Sequence, residues 1–94
     1  MNKTELIEAL AAQAGLSKAD AGRSIEALFG DDGLIAATLK RGERVQVTGF
    51  GTFVARKRAA RTGRDPRTGG TIDIAAATLP AFKAGQAFKD ALNR

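Results

Sequence analysis

Apolar positions recur at helical spacing through the first third of the chain and at every second position through its middle. Leu6, Ile7, Leu10 and Ala14 share one face of a helix that Asn2 caps, with Glu5 three residues on to return the capping bond and Gly15 to end it. Ser17 caps a second helix, with Asp20 at its third position and Ala21, Ile25, Leu28 and Phe29 at helical spacing. The short Gly15-Leu16 link makes the two an antiparallel or crossed pair. Gly30-Asp31-Asp32-Gly33 then breaks the pattern, because a continuous helix would put Asp32 on the face of Ile25, Leu28 and Phe29 and turn Leu34 away. A new segment from Leu34 to Arg41 is expected, capped by Asp31 or Asp32 and closed by Lys40, Arg41 and Gly42. The two acids are a poor cation site, since no further oxygen ligands accompany them.

From Arg44 the period falls to two. Arg44 to Thr48 reads as a strand, Gly49 as a turn, and Phe50 to Ala55 as a returning strand that runs on to Arg58. Thr71 to Ala77 alternates again, with Ile72, Ile74 and Ala76 on one side, as the second leg of a long hairpin opposite Thr52 to Arg58. The pattern predicts a three-stranded antiparallel sheet from which two strands overhang, each leg reaching roughly 23 Å at about 3.3 Å per residue. Pro80 is expected to start a last helix, with Phe82 and Phe88 or Leu92 toward the body and Lys83 and Lys89 toward solvent. The fold class is thus α+β in a single domain, 1–94, comprising a helical base at 1–42, a sheet at 43–79 with an arm at about 56–75, and a C-terminal helix at 80–94.

Charge changes this picture most between Arg56 and Gly70, where six cations stand against one carboxylate, with no large apolar residue and a proline amid Gly and Thr. Such a stretch cannot enter a core and must project into solvent. Residues 1 to 47 hold six cations and seven acids, so the formal charge of +5 is concentrated in the second half. A basic ribbon with a proline at its tip points to a polyanion, above all nucleic acid.

The rest of the composition excludes more than it adds. With no Cys and no His, there are no disulfides or thiolate sites, no usual metal ligand and no general base near neutral pH. Neither a signal peptide nor a membrane span is expected, and neither a cofactor nor a small-molecule substrate. In so short a chain, whose commonest apolar residue is Ala, the core of one protomer is thin, and an obligate dimer is the expected remedy.

The motifs MNKTE at Met1 to Glu5, GFGTF at Gly49 to Phe53, RTGR at Arg61 to Arg64 with Pro66 and Thr68, IAAA at Ile74 to Ala77, and PAF at Pro80 to Phe82 with Gly85 follow one another across the whole chain. In this order the sequence resembles the bacterial HU and integration host factor family of histone-like DNA-bending proteins, and HU most. The resemblance implies an intertwined dimer with two ribbon arms that embrace double-stranded DNA, preferably bent, nicked or kinked. It implies that Pro66 wedges between base steps from the minor groove, where a rigid, donor-free ring enters a stack at low entropic cost. Arg56, Lys57, Arg58, Arg61, Arg64 and Arg67 would then contact phosphates and groove beside Thr68, since guanidinium suits a narrow, negative groove.

By family position Lys3, Lys83 and Lys89 would touch phosphates along the body, although each also reads as a plain surface lysine. Phe29, Phe50, Phe53 and Phe82 are expected in the dimer core rather than as stacking platforms, because they lie off the arm. Gly49 and Gly51 read as turn glycines that let a phosphate approach the backbone. Two acids depart from the family pattern, Asp65 before the tip proline and Asp73 on the returning leg, and both are expected to weaken arm binding. The Gly30 to Gly33 insertion departs from it too.

The function expected is a homodimeric DNA bender and compactor of little sequence preference, cytoplasmic and nucleoid-associated. The alternative within the family is a subunit of a site-preferring heterodimer. An enzyme with Gly63 to Thr71 as a phosphate loop fails on context, because no Gly-Lys-Ser/Thr ending and no strand-to-helix setting accompany it, and no nucleophile and base can be paired. An RNA reader would expose aromatics on the arm, and this arm has none.

Overall fold

The structure, a computed structural model, describes residues 1–94. It forms two compact units, Met1–Arg41 and Gly42–Arg94.

The first unit contains α1 (Lys3–Ala14), α2 (Lys18–Phe29) and α3 (Leu34–Lys40). Both halves of the expected capping box form: the Glu5 N–H donates to Asn2 Oδ1 at 2.8 Å, and the Asn2 N–H donates to Glu5 Oε1 at 3.4 Å. Gly15 ends α1 at φ 68°, a left-handed conformation that costs a glycine little. Ser17 Oγ accepts the Asp20 N–H at 3.0 Å to start α2.

The break after Phe29 is real, but its caps are glycines. Gly33 is the N-cap of α3, with no side-chain cap bond, and Asp31 and Asp32 are exposed instead of capping as expected. The chain doubles back so closely that a Cβ on Gly30 would stand 2.6 Å from the Glu26 carbonyl oxygen, and one on Gly33 would stand 2.9 Å from that of Ala27. At these two positions only glycine closes the turn, while the side chains of Asp31 and Asp32 point away from it into solvent.

Ala11, Ala21, Ile25 and Leu39 make the small core of this unit. Leu6, Leu28, Phe29 and Leu34 stay exposed, Phe29 at 56% and Leu34 at 64%. Each such side chain forgoes roughly half of the about 1.5–3 kcal/mol that complete burial supplies.

The second unit contains β1 (Val45–Val47), β2 (Gly51–Arg58), β3 (Arg61–Arg64), β4 (Thr71–Ile74), β5 (Ala77–Ala84) and α4 (Gln86–Leu92). The β1-β2 turn has Gly49 at φ 86°, and the Phe50 N–H donates to the Val47 carbonyl at 2.9 Å. Strands β1, β2 and β5 form an antiparallel sheet in that order, and β3 and β4 form a separate two-stranded ribbon.

The strand pairing differs from the one the sequence pattern predicts, in two places. Pro80 does not start a helix: residues 80–84 continue β5, with Pro80 opposite Ala55 and Phe82 opposite Phe53. On an edge strand a residue without an N–H is accommodated. The last helix begins only after Gly85, whose carbonyl accepts the Lys89 N–H. In consequence Thr52–Arg58 pairs with Ala77–Lys83, whereas Thr71–Ile74 pairs with Arg61–Arg64.

One face of the three-stranded sheet is apolar, with Phe53, Phe82, Val45 and Ala55. Phe82 lies 4.8 Å from Phe53 and 5.3 Å from Phe50 between ring centroids, and Phe88 of α4 stacks on Phe50 at 4.5 Å. Gly51 is no turn glycine but a buried seat for this cluster, since a Cβ there would meet Phe82 Cζ at 2.5 Å.

Candidate nucleic-acid interface

Strand alternation sorts the basic residues onto separate faces. On β2, Thr52, Val54, Arg56 and Arg58 face one way, and their partners on β5 are Lys83, Ala81, Leu79 and Ala77. Arg56, Arg58 and Lys83 therefore share the face opposite the phenylalanines. Lys57, opposite Thr78, projects to the phenylalanine side. The run Arg56-Lys57-Arg58 is thus divided between two surfaces.

Beyond Arg58 the ladder lapses at Ala59-Ala60 on one leg and Ala75-Ala76 on the other, then resumes with Arg61 opposite Ile74. In the ribbon, Arg61, Gly63, Ile72 and Ile74 share one face, and Thr62, Arg64, Thr71 and Asp73 share the other. Gly63 makes room for the isoleucines, because a Cβ there would stand 2.7 Å from Ile74 Cδ1. Asp73 lies opposite Thr62, on the face that carries Arg64.

The tip is a tightly bonded turn. The Asp65 N–H donates to the Gly70 carbonyl at 2.7 Å, and the Gly69 N–H donates to the Asp65 carbonyl at 2.8 Å, with Gly69 at φ 73°. Asp65 Oδ1 accepts the Arg67 N–H at 2.9 Å, and Thr68 Oγ1 accepts the Gly70 N–H at 3.2 Å. These are the side-chain turns that Asp and Thr form locally. Pro66 and Arg67 are left exposed at the apex. The side chain of Asp65, only 17% exposed, is spent on the turn, with Arg67 Nε 3.8 Å from its Oδ1. The alternating pattern gave no hint of this role, although Asp-Pro-x-Thr-Gly carries the signal.

Arg56, Lys57, Arg61 and Arg64 are exposed and engage no acid. Arg58 is half-buried and donates through Nη2 to the Ala75 carbonyl at 3.1 Å. Lys83 on β5 and Lys89 on α4 are exposed. In the other unit, Lys3 Nζ is bonded to Glu26 Oε2 at 2.6 Å, so this lysine has a partner within its own chain. Phe50, Phe53 and Phe82 come together in the aromatic cluster, whereas Phe29 belongs to the helical unit. No group of three or more His, Cys, Asp or Glu side chains converges to hold a metal, and no helix is long and apolar enough to cross a membrane.

Comparison with known proteins places this geometry in company. A family model described as "Bacterial DNA-binding protein" matches residues 1–93. The chain is 54% identical over 93 residues to DNA-binding protein HU-beta of Pseudomonas aeruginosa, covering 99% of this chain and 100% of that one. It is 54% identical over 92 residues to DNA-binding protein HU of Staphylococcus aureus, covering 98% and 99%. Among solved structures, an Anabaena HU-DNA cocrystal structure superposes with a TM-score of 0.84 at 37% identity, covering 98% of this chain and 97% of that one. HU from Thermotoga maritima superposes at 0.64 and 29% identity, covering 98% of each chain.

Proposed function

The chain belongs to the bacterial DNA-binding protein family, as a relative of the HU proteins, and from that premise we propose how it works: as an architectural protein that holds duplex DNA in its arms and bends it with little regard to sequence. One observation carries the mechanism. The ribbon presents an exposed proline on a turn braced by Asp65 and Thr68, with Arg61 and Arg64 exposed on opposite faces of its first leg and engaging no acid.

Phosphates supply the affinity, drawn to Arg56, Arg61, Arg64 and Arg67 and, on the body, to Lys83, Lys89 and Lys3. Because charge contacts carry no sequence information, this binding is indifferent to base order. Pro66 supplies the bend by entering a base step from the minor groove; a step already nicked or kinked costs less to open, which gives the preference for such DNA. None of this calls for a catalytic group or a cofactor.

The working unit is a homodimer. The exposed Leu6, Leu28, Phe29 and Leu34 of the helical unit, and Phe50 and Phe82 at 42% and 40% exposure in the sheet unit, are the surfaces a second copy would cover. The matched relatives are HU proteins, and no observation favours the heterodimer. Its place would be the cytoplasm, on the nucleoid.

The test is a titration of wild type and Pro66→Ala against an intact duplex, a nicked duplex and a single strand of equal length at several salt concentrations. Preference for the nicked duplex, reduced in Pro66→Ala with the circular dichroism unchanged, is the expected result. Equal binding to all three, insensitive to Pro66, would leave only a basic polyanion binder.

A further inference from the structure

Between the three-stranded sheet and the ribbon the ladder is missing two rungs, and the loss is symmetric. Arg58 opposes Ala77 and Arg61 opposes Ile74, three residues further along each leg, so the register is unchanged across the gap. The four residues in it, Ala59, Ala60, Ala75 and Ala76, have no side chains long enough to tie the two sheets together. A hairpin held by backbone rungs on either side, and by none in between, bends at that place.

Arg58 occupies the last rung before the gap and reaches across it. Its Nη2 donates to the carbonyl of Ala75, on the opposite leg and inside the gap, at 3.1 Å. No other side-chain hydrogen bond bridges the two legs at this level. Its Nε is enclosed and without a hydrogen-bond partner, and the residue borders an open cleft together with Lys57, Ala59, Ala76, Ala77 and Thr78. Arg56, Arg61 and Arg64 stand exposed by comparison.

We propose that Arg58 is a positioning residue: it braces the root of the arm through the Ala75 carbonyl and so sets the angle at which Pro66 is presented, rather than serving as one more phosphate contact. The inference rests on the reading of the ribbon as the DNA-binding arm. The planar guanidinium suits the task, because its fixed fork holds a direction that the pivoting ammonium of a lysine does not. The enclosed Nε–H is out of a phosphate's reach, so this arginine cannot offer DNA the full fork its exposed neighbours can. The brace acts on bending more than on affinity, since a loose arm still carries its other cations to the duplex but presents the wedge over a range of angles.

The experiment compares Arg58→Lys, which keeps the charge, and Arg58→Met, which removes it, with Arg61→Met as a reference for a lost contact. Two readouts separate brace from contact: the dependence of affinity on salt for nicked and intact duplexes, and 15N relaxation of the free protein. In both Arg58 variants the preference for nicked over intact duplex should fall roughly three- to tenfold, what one hydrogen bond is worth. The salt slope of Arg58→Lys should match wild type, whereas Arg61→Met should lower it by about 0.9 per lost contact. Without DNA, amides of β3 and β4 should show lower order parameters than in wild type, while those of β2 and β5 stay unchanged. Arg58→Met with the slope loss of Arg61→Met and wild-type relaxation would overturn the proposal, making Arg58 a plain contact. A wild-type protein with no preference for nicked DNA would instead overturn the bending function, a failure that the relaxation data would distinguish.

Discussion

Replacing Asp65 by Asn and by Ala separates two effects of one carboxylate. Its Oδ1 accepts the Arg67 N–H at 2.9 Å and lies 3.8 Å from Arg67 Nε, so it both shapes the tip and offsets a cation there. A carboxylate about 5 Å from a phosphate repels it by about 0.8 kcal/mol in water, with modest screening because the spacing is shorter than the Debye length. Asn keeps the acceptor and drops the charge, so affinity should rise about fourfold per arm. Ala drops the charge as well but loses the turn bond, worth about 0.5–1.5 kcal/mol, which cancels the gain. The expected order is Asn tightest, with Ala and wild type close together. Fluorescence anisotropy with a labelled nicked duplex at several salt concentrations reads this order. Equal tightening in both variants would refute the turn's share, and an Asn variant no tighter than wild type at low salt would refute the charge's share.

Three further expectations follow from packing and pairing. Gly51→Ala sets a methyl where Phe82 Cζ would stand 2.5 Å away, and should cost about 1–3 kcal/mol; thermal unfolding at the wild-type midpoint would contradict that. Gly33→Ala meets backbone atoms that cannot move aside, the nearest at 2.9 Å, and should lower the midpoint, while Asp32→Asn should leave it in place because neither Asp31 nor Asp32 caps α3. Calorimetry showing the reverse would restore the acids as caps. Glu26→Gln releases Lys3 from a pair whose side chains are 62% and 58% exposed, so stability should change by less than about 1 kcal/mol. Low-salt DNA affinity should rise, and an unchanged affinity would remove Lys3 from the contact surface.

What the sequence could show was whatever is decided within a few residues. The capping box at Asn2 and Glu5, the Ser17 cap, the Gly15 stop and the break at Gly30 all rest on local hydrogen bonding and formed as read. The corrections share a different cause. Pro80 fits the start of a helix as well as an edge strand, and only its partner Ala55 decides between them. The charge of Asp31 and Asp32 suggested caps, but the closeness of Gly33 to Ala27, invisible along the chain, settled the turn. At the site, the arm and its exposed arginines were legible from composition because nothing else could be done with so many cations. The reach of Arg58 to Ala75 was not, since it depends on which atom a side chain meets seventeen residues away; the turn bonds of Asp65 are local and lie in the Asp-Pro-x-Thr-Gly order, which a reading of charge alone passes over.

The unchanged register across the alanine gap also constrains how such an arm can vary in length. Side chains alternate strictly, so parity alone decides which surface each residue beyond the gap occupies. Deleting one alanine from the first leg would move Arg61 and Arg64 each to the other surface while their partners Ile74 and Thr71 stayed where they are. Removing one from each leg would exchange the two surfaces of the whole ribbon together and keep every pair intact. Arms of this design can therefore lengthen or shorten only by matched changes on both legs, and only steps of two residues per leg return each arginine to its original side.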